Sequence, residues 1–189
     1  MMEQNNERKQ KSINVFFDTE FTNMHPLVTP MLISIALAAD DGREFYAELT
    51  DTYQVYDCSD FVKLNVLPLL TWSQGDQEFA MLEAQCASRI QEFIESYGDA
   101  EVILRSDAPG YDWPLIAQIF QFYGCWPKNL RRKCGTIIFD TPKQFHRYNA
   151  GIEEFWKGKA DRQHHALEDA RSIRFAWKFA HKKYGSRGN

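Results

Sequence analysis

Five side chains spread along 189 residues have the types to hold a cation and move a proton: Asp18, Glu20, Asp112, His164 and Asp169. Asp18 and Glu20 close the stretch N-V-F-F-D-T-E-F-T, Asn14 to Thr22. In an extended chain, residues two apart point the same way, so the two carboxylates project together. Like charges held side by side each raise the cost of ionising the other unless a cation lies between them. Oxygen-only ligands suit a hard ion such as Mg2+ or Mn2+. Late in the chain stands H-H-A-L-E-D-A-R, His164 to Arg171. His164 and Asp169 are about 140° apart on an ideal helix. They converge only if the histidine lies in the loop ahead of the helix. Midway, Asp112 in Y-D-W follows the strand-like E-V-I-L-R and precedes a helix marked by Pro114. Asp107 directly follows the same strand, in a loop with Pro109 and Gly110, and is the competing candidate. A packed helix body behind Asp112 (Leu115, Ile116, Ile119) makes it the firmer ligand.

The elements that must position these groups read as follows. Ile13 to Phe17 is a strand, and its continuous apolar character places it centrally in a sheet. Met31 to Ala39 and Arg43 to Leu49 are strands joined at the D-D-G turn, Asp40 to Gly42, a hairpin signal. Phe61 to Leu70 reads as a short helix ending near Pro68. Ser73 and Asp76 have capping-box spacing before an amphipathic helix with Phe79, Leu82, Cys86, Ile90, Phe93 and Tyr97 on one face. Glu101 to Arg105 is a strand, Pro114 to Tyr123 a helix and Thr136 to Asp140 a last strand. Lys143 to Arg162 is poorly periodic and reads as a loop with a short helix over Ile152 to Trp156. The final helix runs from Ala166 to Tyr184. The pattern describes one three-layer α/β domain with a mixed sheet. Residues 1–12 form a polar leader, 13–184 the domain and 185–189 a tail.

Composition excludes several classes. A formal net charge of −4 is no basic nucleic-acid coat, so a polyanion needs a local patch or bound metal. The four cysteines show no C-x-x-C pair, which speaks against zinc and a disulfide framework. No stretch has the length of a membrane span, and residues 1–12 lack a signal peptide's apolar run, so a cytoplasmic location is expected. Lys128, Arg131, Arg132 and Lys133 cluster after the middle helix, either as a solvated turn or as a phosphate contact.

F-D-x-E near the start, an aspartate at a strand-to-helix junction and a late H-x-x-x-x-D resemble the DEDDh group of 3′–5′ exonucleases over roughly Asn14 to Tyr184. The G-Y-D-W form resembles the small exoribonucleases of mycobacterial type and related phage exonucleases. The chain departs from many relatives in carrying S-D-A-P-G-Y-D where they have H-N-A-x-F-D, and Phe21, Thr22, Asn23 after the glutamate where they have threonine then glycine. The resemblance implies an RNase H-like fold with a five-stranded mixed sheet flanked by helices. It assigns Asp18, Glu20, Asp112 and Asp169 to two divalent ions, Mg2+ or Mn2+, and His164 to the general base. It implies 3′–5′ exonucleolytic release of nucleoside 5′-monophosphates from single-stranded RNA. DNA as substrate is the alternative, as is a binding module without catalysis. Phe21, Thr22, Met24 and Trp113 flank the ligands and are the candidate substrate contacts. A homodimer is in keeping with such relatives.

Overall fold

The computed structural model describes residues 11–137 and 139–182. Six strands form one mixed sheet in the order β4-β3-β2-β1-β5-β6, where β1 is Ser12–Phe21, β2 Leu32–Ala39, β3 Glu44–Leu49, β4 Ala80–Met81, β5 Glu101–Ser106 and β6 Gly135–Thr136. β1 pairs antiparallel with β2 and parallel with β5, so it is central, as its apolar run predicts. The sequence-derived leader overlaps this strand at Ser12 and otherwise lies almost wholly outside the described residues, as does the tail from 183 on.

Alternation along β1 sorts the chain into layers. Val15 and Phe17 join Ile35, Leu37, Ala47, Leu49, Val102 and Leu104 on one face. Helices α2 (Glu83–Glu95) and α3 (Pro109–Phe122) cover that face through Cys86, Ile90, Ile94, Ile116 and Phe120. Phe16 points the other way, tilted against Trp177 of α5 (Ala166–His181) at 5.9 Å. On that side Ala36, Ala38 and Tyr46 pack on Ala166 and Ala170. Small residues in β2 let the helix lie close. Arg171 and Arg174 of α5 both ion-pair with Glu44 of β3 at 2.6 Å, and Arg171 also pairs with Glu168 at 2.6 Å, which pins the helix along the sheet.

Several elements differ from the sequence reading. β1 runs through both carboxylates to Phe21, because the β2 ladder continues past them, pairing Asp18 with Ala36 and Glu20 with Ser34. The sheet has a sixth strand: Ala80–Met81 adds to the edge of β3, and α2 starts only at Glu83. Phe79, expected on the helix, packs on Tyr46 from ahead of it. Ser73 instead donates to the carbonyls of Leu67 and Leu70 in a tight turn, and Asp51 accepts the Glu83 N–H. α1 is only Asp60–Asn65, capped by Ser59 and followed by a 3-10 turn at Leu67–Leu69. α3 begins five residues early, with Pro109 in its first turn and Pro114 inside it. β6 is Gly135–Thr136, not Thr136 to Asp140, of which residue 138 lies outside the described residues. Gly135 is needed there, since a Cβ would lie 2.8 Å from Ile103 Cγ2.

The largest correction is α4, Pro142–Trp156, where a loop was expected. Thr141 caps it and Pro142 opens it. It packs mainly on α5: Tyr148 joins Ala176 and Ala180, and Gly151 lies against Ala176. Large side chains such as Phe145 stay exposed.

Candidate active site

At the C-terminal end of β1 the even-numbered side chains leave the core and reach a cavity of about 730 Å³. Asp18, Glu20, Asp107, Asp112, His164 and Asp169 all line it. Asp18 and Glu20 share the α5 face of the sheet, and Asp169 comes from the first turn of α5. Thr19, between them, points to the opposite layer, where its hydroxyl donates to Asp112 Oδ1 of α3 at 2.6 Å. The Ser106 hydroxyl, at the end of β5, donates to the other oxygen, and itself accepts the Ala108 N–H at 2.9 Å. Asp112 is therefore no helix cap. It is a buried carboxylate inside α3, gripped by two hydroxyls.

Two sets of carboxylates have ligand oxygens within 4.8 Å of one another: Asp18, Glu20 and Asp169, and Asp18, Asp107 and Asp112. Asp18 belongs to both. Burial, and then the charges of Glu20, Asp112, Asp169 and Asp107, push the Asp18 carboxyl well above the usual range. Burial, and then repulsion from Asp169 and Asp112, lifts Glu20 to about 8. Burial likewise raises Asp169 to about 7, and Asp112 to about 6 despite its two hydroxyl donors. Asp107 is also raised, chiefly by burial of its carboxyl, though the residue as a whole is exposed. Such a set is costly to ionise as it stands. Oxygen-only donors at this spacing fit hard divalent cations, which offset the repulsion directly.

The two histidines separate sharply. His164 has φ +67°, a left-handed backbone unusual for a residue with a side chain. That turn sends successive rings to different places. His164 lines the cavity, edge-on to Phe61 at 4.9 Å, and burial lowers its pKa. His165 is buried, stacked on Tyr46 at 4.7 Å, and its carbonyl accepts the Asp169 N–H at 3.0 Å as α5 begins. Asp169 and His164 thus reach one cavity although their helical angle forbids it, because His164 precedes the helix.

Of the substrate contacts expected from sequence, Phe21 and Met24 line the cavity, and Thr22 and Trp113 do not. Thr22 is fully buried, and its hydroxyl accepts the Met31 N–H at 3.0 Å while its carbonyl accepts the Ser59 N–H at 2.9 Å. Trp113 turns into the α2/α3 layer, edge-on to Trp126 at 6.1 Å. Sequence reasoning missed Phe61, Tyr111 and Trp156, which form an apolar wall with Phe21 and Met24. Tyr111 sits one residue before Asp112 and lies parallel to Phe21 at 6.3 Å, a signal that was available. Phe61 carried none. The basic cluster lies elsewhere: Leu130 and Arg131 run beside Val102 near the start of β5, Arg131 pairs with Glu101 at 2.6 Å and Arg132 covers Trp126. Among the described residues lining the cavity there is no lysine or arginine.

No family model matches the chain, and no curated protein matches it. A solved structure does: the nuclease domain of 3′hExo, a DEDDh family member, bound to rAMP, with a TM-score of 0.61 over 88% of this chain and 90% of that one, at 13% identity. The fold is therefore the RNase H-like fold of DEDDh nuclease domains, carrying a cluster of carboxylates suited to metal at the end of its central strand.

Proposed function

We propose that this chain is a metal-dependent 3′–5′ exonuclease that removes nucleoside 5′-monophosphates from single-stranded RNA ends. The observation that carries the reading is the pair of carboxylate sets sharing Asp18, facing His164 across one cavity. Likeness of fold to a DEDDh nuclease domain supports the same reading, and the rAMP bound to that domain supports RNA over DNA.

Asp18 is shared between two cation subsites, Glu20 and Asp169 serve one, and Asp112 serves the other. When bound, divalent cations would stabilise charge on the attacking and leaving oxygens of a phosphodiester and lower the pKa of a water. Among the described residues lining the cavity there is no lysine or arginine, which supports ions held on these carboxylates as the offset to phosphate charge. His164 takes the proton from the attacking water. Its lowered pKa keeps the ring neutral at pH 7 and ready to accept. The left-handed turn at His164 commits the ring to the cavity. Thr19 and Ser106 hold Asp112 in one orientation, which a ligand needs if ion spacing is to persist. Phe21, Met24, Phe61, Tyr111 and Trp156 offer flat and apolar surfaces on which a terminal base can stack.

The test is incubation of 5′-labelled RNA and DNA oligonucleotides, single- and double-stranded, with Mn2+, Mg2+ or EDTA. The expected result is a ladder shortening from the 3′ end of single-stranded RNA, with mononucleotide release and full inhibition by EDTA. Undiminished cleavage in EDTA, or internal cuts without mononucleotides, would overturn it. A ladder on DNA alone would replace the substrate and keep the chemistry.

A further inference from the structure

Asp107 was the weaker candidate on sequence grounds, because it lies in a loop while a packed helix supports Asp112. The geometry points to a different role. We propose that Asp107 is a direct ligand of the second cation, completing with Asp18 and Asp112 a three-carboxylate subsite that mirrors Asp18, Glu20 and Asp169. This rests on the two-cation reading above.

Three observations carry it. A carboxylate oxygen of Asp107 lies within 4.8 Å of ligand oxygens of both Asp18 and Asp112, the same criterion that unites the other triad. Without Asp107, the second subsite would have one carboxylate of its own beside the shared Asp18, against two for the first. Asp112 is also a compromised donor, since each of its oxygens already accepts a hydroxyl proton, from Thr19 and from Ser106. Those bonds draw negative charge away from the cation and use lone-pair directions it would otherwise have. No side-chain donor bonds the Asp107 carboxylate among the described residues, where only backbone N–H groups of Asp107 and Ala108 help to hold it.

The backbone explains how a loop residue serves. Asp107 is the single step between the end of β5 at Ser106 and the turn into α3, whose first residue is Pro109. Ser106 is buried, and its hydroxyl ties both Asp112 and the Ala108 N–H. Asp107 is thus flanked by residues fixed to the same hydroxyl. Its position is set by Ser106, and its carboxylate lines the cavity although the residue as a whole is exposed.

The experiment is calorimetric titration of Mn2+ into metal-stripped protein, without substrate. Wild type is expected to bind two ions. Asp107→Asn should bind one of them at least tenfold more weakly and the other within about twofold of wild type. Asp169→Asn should weaken the opposite ion, and Asp107→Asn combined with Asp112→Asn should weaken no more than one. Asp107→Ser serves as a second variant, and melting in EDTA checks that both remain folded. Two ions in wild type with unchanged binding in Asp107→Asn and Asp107→Ser overturn the inference and leave the proposed function standing. A wild type that binds no Mn2+ overturns both.

Discussion

Stripping the metal from this protein and raising the pH should unfold it more easily. In the apo state Glu20 titrates at about 8 and Asp169 at about 7, against ordinary carboxylate values near 4. Between those limits the folded chain holds protons that the unfolded chain has released. Stability therefore falls as pH rises, with a slope of about 1.4 kcal/mol per pH unit for each group still protonated in the folded state. From pH 6 to pH 8 Glu20 alone costs roughly 2–3 kcal/mol, and Asp169 adds about 1 below its own midpoint. For a domain of this size each kcal/mol is worth roughly 2–4 °C, so the melting temperature in EDTA should drop by roughly 6–16 °C. Saturating Mn2+ displaces those protons, so its stabilisation should grow with pH, reaching about 2.7 kcal/mol at a hundred times Kd. Differential scanning fluorimetry at pH 6, 7 and 8, with EDTA and with Mn2+, reads both effects. Glu20→Gln should flatten most of the EDTA slope. A melting temperature in EDTA that is flat or rises over this range, with no response to Mn2+, would refute the electrostatic account of the cluster.

Three further outcomes are expected. His164→Ala should slow turnover by roughly a hundred-fold or more, with Mn2+ binding little changed, the usual scale for a positioned proton acceptor; an inactive His165→Ala beside a near-normal His164→Ala would reverse the assignment. Asp112→Asn should lose nearly all cleavage at saturating Mn2+ while its circular dichroism stays native, since the amide keeps the shape and loses the charge; activity within tenfold of wild type would remove it from the ligand set. Gly151→Val should lower the melting temperature by roughly 3–10 °C, because a Cβ there lies 2.9 Å from Ala176 Cα and α4 must lift off α5, at a cost of about 1–3 kcal/mol; a change under 2 °C would mean the two helices separate freely.

What could be read from the sequence follows physical rules that act locally. The nearly continuous apolar run Ile13 to Phe17 announced a central strand because burial on both faces leaves few polar positions, here only Asn14. The D-D-G turn announced its hairpin. Asp18 and Glu20 were legible as a pair because alternation is a property of the strand itself. The fault at Ser73 and Asp76 came from a local signal overruled by a distant one: Asp51 supplies the cap at Glu83, and the β3 edge takes Ala80–Met81. α4 was legible and was missed: Phe145, Tyr148, Ile152 and Phe155 recur at three and four residues in a helix that Thr141 caps and Pro142 opens. Asp107 ranked below Asp112 because a loop was set against a packed helix, and no pattern in the chain says that the Ser106 hydroxyl ties both Asp112 and the Ala108 N–H. Trp113 was assigned to the site by its place beside Asp112. One step along a helix turns a side chain by about 100°, and that sends it into the core instead.

β1 has one further consequence, for the order in which the protein comes into being. Its even residues send carboxylates toward the layer of α5, and its Thr19 orients the carboxylate offered by α3 from the opposite layer. The reactive cluster is therefore a joint between two halves that have no other reason to meet at that point. During synthesis the strand and α3 emerge well before Asp169, so a growing chain carries three or four uncompensated acids and no complete first subsite. On the proposed function, hydrolytic competence would arrive only when Ala166–His181, the last of the described helices, closes on the sheet. On that function a half-made molecule would be inert toward nucleic acid nearby, and binding at the subsite that needs Asp169 would be a late event that rewards the final docking step.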